Sequence, residues 1–261
     1  MTSEILTVLG VDLLAALALM GAIAVPSFKT KDPSYVDGFW GIGFVVVAVV
    51  AFVQTDGDGT RKGWLLGLTA LWGLRLGGYL LWRWAGHGPD PRYQKMLAKN
   101  TGSDAVFLLT RVFLTQAVIL TVVALPVQLG QVYDGGFRWW NWVGVVGALA
   151  AIAWETVADV QLTRFRGNPD NKGQVMDKGL WRYSRHPNYF GEACVWWSLL
   201  LVSWVNPVSA FGIIGPLLIT AFLAKWSGVG PLEKQLHDTK PKYKEYVATT
   251  SALVPRPPKR A

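Results

Sequence analysis

Ile5-Leu-Thr-Val-Leu-Gly-Val-Asp12-Leu-Leu-Ala-Ala-Leu-Ala-Leu-Met20-Gly-Ala-Ile-Ala-Val25 carries one charge in twenty-one residues. As a helix this run is about 31 Å long, matching the roughly 30 Å of a bilayer's hydrocarbon core. Similar runs recur at about 37–53, 63–84, 105–128, 139–159, 190–205 and 207–226. The pattern predicts an all-α integral membrane bundle of seven transmembrane helices. No basic residue precedes the first run and no small-residue cleavage site follows it, so it reads as a retained span. Only Val205-Asn206-Pro207 separates the last two runs, which demands a tight hairpin or a re-entrant pair.

The composition agrees with a membrane protein. Apolar residues make up 51% of the 261 and charged residues 16%, against roughly 45–50% and 25% in soluble domains. Fourteen Trp residues, one cysteine and a net charge of +8 exclude a disordered chain and a disulfide-stapled secreted domain. The charge is an orientation signal, not the mark of a nucleic-acid partner. With the N-terminus outside and the C-terminus cytoplasmic, the inner loops and tail hold eighteen Lys and Arg, the outer loops only Arg61, Lys62 and Arg138. No repeat is evident, so residues 1–261 read as one membrane-embedded domain whose cofactor-binding half is about 105–261. The bilayer is the expected surrounding, either the bacterial inner membrane or the endoplasmic reticulum, with no obligatory protein partner evident.

Ionisable residues at membrane depth need partners or a hydrated cavity. On the third helix Trp72, Arg75, Tyr79 and Arg83 fall within an arc of about 80°. Arg111 on the fourth, and Glu155 with Asp159 one turn apart on the fifth, read as the walls of such a cavity. Gln54 and Asp56 close the second helix before Gly57-Asp58-Gly59; they are either an exposed helix end or groups reaching back into the cavity.

The densest chemistry lies between the fifth and sixth runs: Asp159-Val-Gln-Leu-Thr-Arg164-Phe-Arg166-Gly-Asn168-Pro, then Gly179-Leu-Trp-Arg182-Tyr183-Ser-Arg185-His186-Pro187-Asn188-Tyr189-Phe-Gly191-Glu192. Pro187 suits the first turn of a helix, whose free amides attract anions. The guanidinium groups of Arg164, Arg166 and Arg185 suit a phosphate-rich ligand. Asn188 and Glu192, four residues apart, share a helix face and supply directional hydrogen bonds. A basic loop touching anionic lipid accounts for the charge, but not for Asn188, Tyr189 and Glu192.

This signature, with Phe165-Arg-Gly-Asn-Pro169 upstream and Tyr243-Lys-Glu-Tyr246 and Val254-Pro255 in the tail, resembles the steroid 5α-reductase family, including its bacterial relatives first described as a domain of unknown function. The resemblance is strongest over about 159–255. It implies a seven-helix fold, NADPH as hydride donor, and reduction of the carbon–carbon double bond of an enone, such as a 3-oxo-Δ4 steroid or related lipid. By position it puts the cofactor on Asp159, Arg166, Asn188 and Glu192, with Tyr183, Arg185 and His186 in the same motif and Tyr243 or Tyr246 from the tail. Arg83, Arg164 and Asn168 complete the candidate set. Family members carry a Gln-Glu pair at the end of the second helix and a Tyr on the third. Here Gln54-Thr55-Asp56 replaces the pair, and Trp72 stands where the Tyr is expected. Tyr79 is therefore the first candidate for the donor to the enolate oxygen, with Gln54 and Asp56 as carbonyl anchors.

A related Arg-His-Pro-x-Tyr-x-Gly pattern occurs in membrane methyltransferases that use S-adenosylmethionine. Asn188, Glu192 and the extra arginines favour the reductases over these, and a non-enzymatic lipid-binding protein would need none of them. No glycine-rich dinucleotide fingerprint follows a strand. His87, His186 and His237, with Cys194 the one cysteine, lack metal-ligand spacing.

Overall fold

The computed structural model describes residues 2–226, 233 and 242–259. The elements are α1 (Thr2–Thr30), α2 (Val36–Gln54), α3 (Gly59–His87), α4 (Pro91–Leu97), α5 (Asp104–Val123), α6 (Leu125–Val132), α7 (Trp139–Gly167), α8 (Pro187–Ser203), α9 (Pro207–Lys225) and α10 (Tyr243–Thr249). The protein is all-α, with no strand among the described residues. Six helices, α1, α2, α3, α5, α7 and α9, are long and apolar enough to cross a membrane. The remaining expected span, α8, is helical over 17 residues. It is therefore about 25 Å long.

The boundaries follow local chemistry. Asp58 caps α3 by accepting from the Arg61 amide at 2.8 Å, and Asp90 caps α4 ahead of Pro91. Between α8 and α9 the short hairpin is set by Asn206, whose side chain accepts from the amides of Val208 and Ser209 in a capping box. Within α5, Leu108–Leu114 is a π-helical stretch that puts Leu108, Val112 and Phe113 on the inner face. Arg111 turns outward and is exposed, so it lines no interior, contrary to the expectation of a buried charge.

The chain forms two compact units. The first comprises residues 1–142 and 199–215, the second 143–198 and 216–261. In the first, α2 and α3 meet through glycine: a Cβ on Gly41 would stand 2.4 Å from the Gly73 carbonyl oxygen, and one on Gly77 2.7 Å from that of Gly38. Such close backbone approach is how membrane helices gain packing without a hydrophobic driving force. Trp72 fills the space beside this seam, fully buried and 5.5 Å from the Phe44 ring. Arg61, counted as an outer-loop cation, is instead buried and donates to the carbonyls of Tyr133 and Gly136. Asn141 donates to the carbonyls of Leu201, Val202 and Trp204, satisfying the end of α8 that belongs to this unit.

Candidate functional site

In the second unit α7 and the start of α8 lie against each other because Gly191 removes the side chain that would hold them apart. A Cβ there would fall 2.8 Å from the Glu155 Cβ and 3.1 Å from its backbone. This contact brings Asn188 beside Asp159, with Nδ2 donating to Oδ1 at 3.3 Å. Glu155, Asp159 and Glu192 are all buried. Asn188 Oδ1 is buried without a hydrogen-bond partner. An acceptor in that position is costly unless a ligand or water supplies the donor.

The loop before α8 is fixed from both sides. Leu180 donates its amide to Gln161 Oε1 at 3.0 Å, Trp181 Nε1 donates to the Ala158 carbonyl at 3.1 Å, and Trp154 Nε1 reaches the Pro187 carbonyl at 3.0 Å. Gly179, at φ +58, makes the turn and leaves room for Gln161. On the other side the tail zips onto the loop. Arg185 donates its amide to Ser251, Arg256 donates its own to Tyr183, and Ser184 Oγ donates to Leu253. The Tyr246 hydroxyl donates to the carbonyls of Trp181 and Ser184.

Arg185 is central to this clasp. Its guanidinium donates to Val247 and Thr250 and pairs with both carboxylate oxygens of Glu233. His186, stacked on the Tyr189 ring at 5.2 Å, lies 3.3 Å from Glu233 Oε1. Burial alone would raise the Glu233 carboxyl, but the bonds to His186 and Arg185 outweigh it and pull the pKa down to about 2. Burial, and then the nearby Glu233 carboxylate, push Tyr243 up to about 12, and burial raises Tyr246.

Of the residues expected from sequence, Asp159, Asn188, Glu192 and His186 converge in this unit. Arg164 and Arg166 lie exposed at the C-terminal end of α7. Tyr183 is likewise exposed. Asn168 caps the turn after α7 by accepting from the Asp170 amide at 3.0 Å. Arg185, Tyr243 and Tyr246 belong to the clasp. Sequence reasoning gave no role to Gln161 and Ser184, which stand within the quoted signature, and missed Glu233, which meets it only through tertiary contacts. His237 and the His87 side chain lie outside the described residues.

The remaining candidates belong to the first unit. Tyr79 is half-buried, with its ring centre 6.2 Å from that of Trp82 and 5.9 Å from the Arg83 guanidinium. Gln54 donates to Asp12 of α1 at 2.8 Å, whereas Asp56 is exposed at the end of α2.

A family model described as "Protein of unknown function (DUF1295)" matches residues 25–250. No curated protein and no solved structure matches the chain.

Proposed function

The chain belongs to the DUF1295 family, and on that premise we propose that it is a membrane reductase related to the steroid 5α-reductases. In this reading it binds NADPH in the second unit and reduces the carbon–carbon double bond of an enone lipid. The carrying observation is the convergence of Asp159, Asn188 and Glu192 on one helix junction, with the Asn188 carbonyl oxygen buried and awaiting a donor. That set of acceptors fits the amide and hydroxyl groups of a nicotinamide dinucleotide. Asn188 and the carboxylates would hold carboxamide and ribose, and Arg164 and Arg166 at the end of α7 would take phosphate. The bound cofactor would supply hydride. Tyr79 is proposed as the donor that stabilises the developing enolate, since oxyanion stabilisation is often the largest catalytic term.

The reading also takes α8 as a seventh span. Its length of about 25 Å falls only slightly short of the roughly 30 Å core, a mismatch costing fractions of a kcal/mol per Å. The excess of Lys and Arg in alternate loops supports an N-terminus outside and a tail in the cytoplasm in this reading.

Titration of the purified protein with NADPH and S-adenosylmethionine, followed by NADPH oxidation with steroid and lipid enones, tests the assignment. Saturable NADPH binding and enone-dependent oxidation are expected. Saturable binding of S-adenosylmethionine alone would overturn the reading in favour of methyl transfer.

A further inference from the structure

Asp12 lies within the first membrane-spanning helix and has no exposed surface. Its Oδ1 accepts from Gln54 Nε2 at 2.8 Å, and its Oδ2 is buried with no hydrogen-bond partner. A second unpaired oxygen lies on the same seam. The Tyr133 hydroxyl is buried without a partner in the cluster formed with Val8 and Ala51. Val8 is one turn before Asp12 on α1, and Ala51 is three residues before Gln54 on α2.

An ionised carboxylate with one bare oxygen is strongly disfavoured among Val8, Ala51 and the apolar side chains around them. In the neutral acid Gln54 satisfies the carbonyl oxygen, and the other oxygen carries a proton with no acceptor. We infer that Asp12, held in place by Gln54, is the polar anchor of a binding position in the first unit for the accepting oxygen of an uncharged, lipid-soluble molecule. A phosphate or carboxylate ligand would have to bring its charge into an apolar seam beside an acid. An uncharged carbonyl brings an acceptor at little desolvation cost.

Access from the lipid phase is consistent with α1, whose apolar window is less buried than that of any other candidate span. The inference deepens the proposed reading, in which Gln54 is a carbonyl anchor, but its test uses no cofactor, so its failure is distinct from failure of the NADPH assignment.

The test is isotope-edited infrared spectroscopy of the full chain in nanodiscs, with a carbonyl-¹³C-labelled long-chain ketone as probe. A ketone band moved to lower frequency, saturating at one equivalent, is expected in the wild type and in Asp12→Asn, which keeps a donor. In Asp12→Leu the shifted band should vanish and affinity fall roughly tenfold, the loss of one hydrogen bond. In unsubstituted protein the Asp12 carboxyl band should move when unlabelled ketone is added, a readout independent of how Asp12→Leu folds. A wild type with no saturable band, an unmoved Asp12 carboxyl, or a shifted band that survives Asp12→Leu would overturn the inference and leave water as the occupant.

Discussion

Arg185 holds Glu233 through two parallel bonds, Nε to Oε1 at 2.7 Å and Nη2 to Oε2 at 3.2 Å, across 48 positions of sequence. This bidentate geometry is the one a guanidinium would offer a phosphate, so the motif arginine acts here as the pin of the C-terminal clasp. Glu233 titrates at about 2 in the folded protein against an ordinary 4.5. A depressed carboxyl contributes stability that is complete above the unfolded pKa and lost as pH falls through the folded one. The clasp should therefore loosen between about pH 4.5 and 2. Hydrogen exchange of residues 243–259 across that range would show it, and Glu233→Gln should exchange faster at neutral pH and lose most of the dependence. Identical profiles in the two proteins would show that the tail is held by other contacts.

Tyr246→Phe removes the hydroxyl that serves the carbonyls of Trp181 and Ser184 while keeping the ring. Leaving buried acceptors unpaired costs about 1–3 kcal/mol. Thermal unfolding should shift down by a few degrees, and the tail should become sensitive to protease.

Helix order, the membrane setting and the Asn188–Glu192 face were legible because each rests on local periodicity, which a sequence carries directly. The clasp was not. Most of its acceptors are main-chain carbonyls, of Trp181, Ser184, Val247, Thr250 and Leu253, and a carbonyl has no sequence identity. Trp72 shows a second limit. The sequence puts it on the polar arc of α3 with Arg75 and Tyr79, yet close approach of α2 buries it against Phe44. For Gln54 the sequence leaves an exposed helix end and an inward-reaching group both open, because its partner Asp12 on α1 is 42 residues away.

The α2–α3 seam makes its own prediction. Gly41→Ala drives a Cβ to 2.4 Å from the Gly73 carbonyl oxygen, and backbone cannot yield as a side chain can. Overpacking of this kind costs about 1–3 kcal/mol or more. Detergent-solubilised Gly41→Ala should melt lower or aggregate, whereas Gly10→Ala, with nothing within 4 Å, should behave as wild type. Equal stability of the two variants would show that the helices part more easily than their contact implies.

Gly191 offers the sharpest separation of site from scaffold. Adding a methyl group places it 2.8 Å from Glu155 Cβ and 3.1 Å from the Glu155 Cα and N, so the junction of α7 and α8 must open by several tenths of an ångström. Asn188 and Glu192 flank Gly191, and the 3.3 Å bond from Asn188 to Asp159 is already near the limit of a useful hydrogen bond. Opening should break that bond and spoil whatever ligand geometry Asn188 supports. If these residues hold a nicotinamide dinucleotide, Gly191→Ala should weaken NADPH binding by roughly tenfold or more, the equivalent of about 1.4 kcal/mol, with a smaller change in melting. Gly147→Ala is the control on the same pair of helices, because its Cβ meets the Ser198 hydroxyl at 2.9 Å, a group that can rotate aside. Loss of binding in Gly191→Ala but not in Gly147→Ala would tie the dinucleotide to the Asn188 end of the junction. Unchanged binding in both would detach the ligand from Asn188 and Asp159.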